Sequence, residues 1–522
     1  MRNIYLLDCT LRDGGYINDW NFGHESIVSI IEKLGQTGIE MIEIGFIKGD
    51  IYNPDKTLFP DTDSFKNVIV NKIDKVQYIG MLDMSDPVPL ERIKNKRNYS
   101  IDGIRVIFKK EKINEAYEYC RHIREKGYYL YVNFVNTDSY TDKEFIEGIE
   151  KFNTLDPYGV AIVDTFGLLK KRQLTHFVSI ADNNLRKNIK ICYHAHNNLQ
   201  QAFSNAEAMV EMNTRRDIVI DACVFGMGRG AGNLNLELFA EYMNENYGKN
   251  YLISPMLEIM DEYLQSFYKN KFWGYSLPLY LSACFGCHPN YAIYLAEKNT
   301  LSEKNFSELL QNISNEDKLT FSKDKADWYY KKYMSTYVDD KRDKSILHRE
   351  LQNKNILLVT PGKTLSDYYE RLKKVIPNNA IVMCVNFFEA SLRPQYVFIS
   401  NARRFKEIKN IGESKSIVTS NIKNIQVADY VVNYSSYIGK ECLVFDNGGL
   451  LALRFLYSIG VKKVFIAGMD GYTEKQQNYY MDCLESTHHH EYRIKNQEMT
   501  KELLEIKKYL DIEFITPTKY EL

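Results

Sequence analysis

The sequence, 522 residues long, lacks several things, and each absence closes a class of function. It has no excess of positive charge: 67 Lys+Arg stand against 68 Asp+Glu. Without a long basic run there is no stripe for a nucleic-acid backbone, and small polar substrates fit the balance better. No apolar run is long enough to cross a bilayer, and the first, in MRNIYLLDCTLRDGG, is broken by charge too early for a signal peptide or an anchor. The nine cysteines are odd in number and share no repeating spacing, which predicts reduced thiols in a cytoplasmic protein rather than a disulfide framework. No internal repeat is present, nor a low-complexity tract beyond the internal HHH at 488–490. What is left is a chain of roughly two to four packed domains.

Strand-like runs recur through the first half. IYLLD ends at Asp8, MIEIGF at Phe46, QYIGML at Leu82, GIRVIF at Phe108, YLYVNF at Phe134, GVAIVD at Asp164, IKICYHAH at His196 and IVIDACVF at Phe225. Stretches of helical pattern separate them, with Gly38 and Gly127 placed where helix C-termini fall. Eight such alternations predict a (β/α)8 TIM barrel over residues 1–250. Residues 251–352 are aromatic-rich and then charged, and predict a helical extension ending in a linker. From 353 to 522 strands return (NILLVTPG, AIVMCVN, YVFISN, SIVTSN, CLVFDNG, KKVFIAGMDG), which predicts a Rossmann-like open α/β domain.

In such a barrel, polar residues at the C-terminal ends of strands carry the chemistry. Arg12 and Asp13 follow the first strand. His194 and His196, two apart near the end of the seventh, share a face of the sheet. One carboxylate and two imidazoles suit Mn2+, Fe2+, Co2+ or Zn2+, and Mg2+ when substrate oxygens complete the shell. After the eighth strand comes FGMGRGAGN, whose glycines permit close backbone approach and whose Asn233 carries an amide oxygen within reach of such a metal. Glu43 and Asp164 also end strands and are candidates for orienting the ligands or Arg12. CFGCH at 284–288 fits the haem-attachment spacing, but its helix-like aromatic context makes the match accidental.

DCTLRDGG, YHAHNN and GMGRGAGNLNLELF together resemble the metal-dependent aldolase and acyl-lyase superfamily that includes 4-hydroxy-2-oxovalerate aldolase, HMG-CoA lyase and the 2-isopropylmalate synthases, over roughly residues 1–300. The resemblance implies Asp13, His194 and His196 as metal ligands with Asn233 beside or on the ion, Mn2+ or Mg2+ as cofactor, and Arg12 as the cation on an enolate. The loop lacks the cysteine of the HMG-CoA lyases, and Gly15 stands where the synthases usually show glutamine, so the pyruvate-specific aldolases are the nearer pattern. Those aldolases carry a histidine shortly after LRDG; here GGYINDWNFGHES offers Tyr16 and, further on, His24. His288 and Tyr291, in CHPNYA, are the other candidates for proton transfer. The expected substrates are a 2-oxo acid and an aldehyde, and a homodimer is expected by the same likeness.

In the C-terminal part, LLVTPGKTLSD is a strand, turn and helix start able to hold phosphate, although it lacks P-loop spacing. NFFEASLRPQYVFISNARRF and NGGLLALRFLYSIGVKKVFIAGMDGY resemble bacterial sialyltransferase-like domains that bind a cytidine nucleotide. The matching positions are Gly362, Asn386, Asn401, Gly448 and Asp470, with one of His488, His489 or His490 in place of the family's histidine. The sequence therefore predicts a metal-dependent aldolase fused to a domain for a cytidine nucleotide or nucleotide sugar, in surface-polysaccharide or unusual-sugar biosynthesis. The rivals are an acyl-CoA-dependent Claisen-type synthase and a non-catalytic sugar-nucleotide-binding protein.

Overall fold

The computed structural model describes all residues except 1, 376–379, 409, 424, 426, 440–442, 474–477 and 480–490, and the backbone alone at 369, 371 and 373–375. Two compact units divide the chain, residues 1–289 and 290–522. The stretch expected as a helical extension is helical, without strands among its described residues, and the division falls inside it.

In the first unit eight parallel strands close into a barrel: β1 (Ile4–Asp8), β2 (Met41–Ile47), β3 (Gln77–Asp83), β4 (Gly103–Phe108), β5 (Tyr129–Phe134), β6 (Gly159–Asp164), β7 (Lys190–Ala195) and β8 (Ile218–Ala222). Closure comes from β1, which pairs with β8 along its whole length and with β2 at Leu7 and Asp8. A two-residue strand, Leu58–Phe59, adds to β2 outside the ring. Strands covered on both faces are largely apolar, and all seven residues of β2 are buried, including Glu43, which lies inside the strand rather than at its end as expected and is paired with arginines. Helices between strands bury one stripe. In His24–Gln36, Ile27, Ile30, Ile31 and Leu34 lie inward at helical spacing. This helix and Ile113–Glu125 are followed by Gly38 (φ 84°) and Gly127 (φ 90°), the left-handed positions that let the chain leave a helix and return to the sheet.

The second unit carries a seven-stranded parallel sheet: β9 (Asn355–Val359), β10 (Ile381–Val385), β11 (Tyr396–Ile399), β12 (Lys415–Thr419), β13 (Tyr430–Val432), β14 (Lys463–Ala467) and β15 (Asp511–Phe514). Its order is β13-β12-β11-β10-β9-β14-β15. The direction of winding reverses at β9, and in open sheets the crevice outside such a reversal takes ligands. CLVFDNG, expected as a strand, is a turn at Leu443–Asp446, after which Asn447 caps a helix that begins at Gly448. Its apolar pair, Val444 and Phe445, is buried without sheet pairing. The edge strands β13 and β15 take its place in the count.

Candidate functional site

At the C-terminal rim of the barrel, β1 delivers Arg12 and Asp13, and β7 delivers His194 and His196. Asp13, His194 and His196 each bring one ligand atom to within 4.8 Å of the others, and all are buried. Gly14 and Gly15 turn the chain away at once. A Cβ on Gly15 would lie 2.1 Å from the Trp20 ring, so only glycine allows this indole to close behind the site. Trp20 Nε1 donates to the Arg12 carbonyl (2.8 Å). His196 is fixed to the loop after β8 by an isolated bridge to Asn233.

Charge at the ligand cluster is paired. Arg12 donates to Asp13 and, through Nε, to Glu43 (2.6 Å). Asn233 Nδ2 donates to the other Asp13 oxygen (2.6 Å) and to the Met227 carbonyl (3.0 Å). Burial alone raises a carboxyl's pKa, but Arg12, the two histidines and Asn233 outweigh it and hold Asp13 well below the usual carboxylate range. His196 is pushed down to about 3 by burial first, so its imidazole is neutral and able to ligate at pH 7.

Beneath this layer lies a group that sequence reading passed over. Arg105, in the middle of β4, donates to Asp221 of β8 and stands 3.4 Å from Glu43. Asp221 also meets His194 Nδ1 at 3.1 Å. A carboxylate on Nδ1 fixes the imidazole tautomer and leaves Nε2 for the Asp13 and His196 cluster. The sequence signal was available: GIRVIF and IVIDA each carry one charge inside an apolar strand, and such charges must find partners.

The residues fit a divalent cation. The donor set is one carboxylate and two imidazoles, and two buried atoms at the cluster, His196 Nδ1 and Asn233 Oδ1, have no hydrogen-bond partner. Asn233 presents its amide nitrogen rather than its oxygen to Asp13.

Of the other expected residues, Tyr16 stands at the mouth, its ring edge-on to Trp20 (4.8 Å) and under the guanidinium of Arg229 (5.2 Å). Burial outweighs Arg229 in raising its pKa, which keeps the phenol protonated. His288 packs against Phe166 (5.4 Å). Burial, then Arg229 and Lys109, lowers its pKa to about 4. Asp164 turns its carboxylate into the loop after β6, accepting from the N–H groups of Leu168 (2.7 Å) and Leu169 (3.1 Å), and meets His196 through its main-chain oxygen. Tyr291 belongs to the second unit, where its hydroxyl donates to the Thr320 carbonyl (3.3 Å) and its ring packs on Phe321.

Residues 101–259 match the HMGL-like family model. The HMGL-like part is similar at low identity to the 4-hydroxy-2-oxovalerate aldolases of Pseudoalteromonas translucida (23% over 249 residues, 47% of this chain and 70% of the relative) and Bacillus cereus (21%, 50% and 76%). Among solved structures it is similar to the HMG-CoA lyase of Bacillus subtilis, at 16% identity and a TM-score of 0.42, over 51% of this chain and 93% of that one. Part of the chain is thus similar, at low identity, to HMGL-like proteins and to 4-hydroxy-2-oxovalerate aldolases, and the barrel holds a candidate metal site.

In the second unit, a cavity of about 290 Å3 opens at the C-terminal ends of the strands and is lined by Gly362, Asn386, Asn401, Gly448 and Asp470 together. Its walls need glycine: a Cβ on Gly448 would lie 2.3 Å from Asn386 Nδ2, and one on Gly362 2.0 Å from the Gly468 carbonyl. Several of its polar groups are committed to the scaffold. The Asn386 amide oxygen accepts from the N–H groups of Ser400 (2.8 Å) and Asn401 (3.2 Å), and Asn401 caps the next helix. Asp470 accepts from the Thr364 N–H (2.7 Å) and hydroxyl, occupying the helix start that the sequence offered to a phosphate. Lys298, also lining the cavity, pairs with Asp327 (2.8 Å) among the rings of Tyr294 and Tyr330. His488, His489 and His490 lie outside the described residues.

Proposed function

We propose that the barrel is a divalent-metal-dependent aldolase that makes or breaks a C–C bond next to a 2-oxo acid, pyruvate in the simplest case, with Mn2+ or Mg2+ as cofactor. The observation that carries this reading is the convergence of Asp13, His194 and His196 beside a buried, doubly paired arginine. When bound, the ion would supply Lewis-acid stabilisation of charge on the keto oxygen. Asp13, His194 and His196 would hold it, with Asn233 turning its amide. Arg12, fixed by Glu43 and Asp13, is a preorganised donor aimed at the same developing charge; removing such a donor typically costs about 10²- to 10³-fold in rate. In this reading Tyr16, protonated at neutral pH, would give a proton, and neutral His288 would accept one. Glu43 and Asp221 act through Arg12 and His194.

For the second unit, the reading is a cytidine nucleotide or nucleotide sugar held along the Asn386, Asn401 and Gly448 side of the cavity. The winding reversal at β9 and the glycine-dependent walls support it. An aldolase joined to such a domain fits unusual-sugar or surface-polysaccharide biosynthesis.

The test is pyruvate methyl-proton exchange into deuterated water, followed by NMR with Mn2+, with chelator, and with Asp13→Ala. Metal-dependent exchange that vanishes in the variant is the expected result. No exchange by folded, metal-loaded protein would sink the aldolase reading; release of CoA from acetyl-CoA plus a 2-oxo acid would replace it with the synthase. Calorimetry of the full chain with CMP, against UMP, tests the cavity.

A further inference from the structure

Arg229 sits at position four of the GMGRGAGN loop, half-buried, at the mouth of the barrel. Its guanidinium lies 5.2 Å over the Tyr16 ring. Among the described residues it has no carboxylate within 4.0 Å, whereas Arg12 and Arg105 are each held by two acids. Of the two acids that reach Tyr16 electrostatically, Asp13 is paired with Arg12 and Asp83 accepts the Ser85 N–H (2.7 Å). Lys109, exposed after β4, is a second cation whose field reaches His288 together with that of Arg229.

The charges around the ligand cluster show what is missing. Arg12 and Arg105 face Asp13, Glu43 and Asp221, which leaves one negative charge in excess. A divalent cation together with the carboxylate of a 2-oxo acid brings that set to neutrality. Arg229 remains over, partly desolvated, and fixed on an aromatic face where it costs little entropy to use. A guanidinium in that position matches an anion arriving from outside the cluster.

We propose that Arg229 anchors an anionic group on the acceptor, so that the barrel selects aldehydes bearing a carboxylate or phosphate over neutral ones. The word acceptor rests on the aldolase reading above; the anion site does not. In the aldol direction the bond forms between the enolate carbon and the aldehyde carbon, and the proton goes to the aldehyde oxygen. Arg229 holds the far end of the aldehyde and takes no part in that transfer.

The test uses the full chain with Mn2+ and three stable probes, glycerol 3-phosphate, glycerate and glycerol, titrated by calorimetry into wild type, Arg229→Gln and Arg229→Lys. At least one anion should bind where glycerol does not; which of the two is tighter decides between phosphate and carboxylate. Arg229→Gln should weaken it about 10- to 100-fold, and Arg229→Lys less. Equal anion affinity in wild type and Arg229→Gln, or glycerol binding as well as the anions, overturns the anchor. Pyruvate exchange by wild type, which needs no aldehyde, separates the two readings. Exchange without Arg229-dependent anion binding removes the anchor and keeps the aldolase, and anion binding without exchange does the reverse. Where turnover is found, Arg229→Gln should raise KM for glyceraldehyde 3-phosphate while leaving KM for propanal close to the wild-type value.

Discussion

The barrel mouth and the cavity of the second unit are built from opposite materials. The first concentrates charge at its ligand cluster: two arginines and three carboxylates, buried and paired, around two buried imidazoles. The second is shaped by backbone and amides, with glycines admitting close approach and asparagines spending their oxygens on neighbouring N–H groups. Buried charges are expensive and add little stability over apolar packing, so a cluster of them marks a place where a field must already point the right way. Amides and bare backbone hold a shape, and charged groups on the wall such as Lys298 and Asp470 are tied to Asp327 and Thr364, which suits recognition of a ligand whose bonds are not changed there.

That contrast can be broken by experiment. The largest effect should follow loss of the charge centre itself: Asp13→Ala or chelation should lower pyruvate exchange by about 10³-fold or more, as expected for removing several kcal/mol of charge stabilisation. Arg12→Met should lower it by about 10²- to 10³-fold with metal still bound; a change under tenfold would mean the guanidinium is only structural. Asp221→Asn should weaken Mn2+ binding by about 10- to 100-fold, measured by titration, because His194 loses the carboxylate that orients it. In the second unit, Gly448→Ala should weaken CMP binding and cost about 1–3 kcal/mol in denaturant unfolding, the price of forcing a methyl against Asn386.

The smallest effect is in the pH dependence of barrel stability. His196 and His288 are depressed to about 3 and about 4. Below the unfolded histidine pKa of about 6.5 the unfolded chain binds protons that the folded barrel refuses, so their contribution is intact above that pH and is lost as acid reaches the folded values. Asp8 and Asp164 are raised by burial to about 7; their contribution is present at low pH and lost as pH rises through about 7. The two pairs oppose each other between about pH 4 and 6.5, so the unfolding midpoint should vary little there. His288→Asn halves the histidine side of the balance and leaves both carboxyls, so its midpoint should rise on acidification from pH 7 to 5. An unchanged profile would show that His288 titrates normally.

Much of the barrel was legible because its grammar is local. Strand ends, the glycines after helices and the spacing of two between His194 and His196 are read from adjacent residues. Arg105 and Asp221 were not, because their partners lie on strands far apart in sequence and a single charge in an apolar run does not name its mate. Arg229 was quoted in its loop without a role, since its meaning depends on the absence of a carboxylate, which only coordinates show. In the second unit the strands next to β9 were found, whereas β13 has only three residues and β15, DIEF, alternates charged with apolar residues. CLVFDNG looked like a strand because burial, not pairing, chose its apolar residues.

Trp20 gives the site a voice of its own. Its indole is hydrogen-bonded to the carbonyl of the residue that would face the substrate. Trp273 makes the same bond to Phe225, in the loop after the eighth strand, and Trp328, exposed, completes the chain's three. Two of the protein's three indoles are therefore tied to the loops after the first and the eighth strands, and a paramagnetic ion held by Asp13, His194 and His196 is expected to dim them. Emission at the indole wavelength becomes a direct optical record of when the rim is loaded, without a label or a coupled assay.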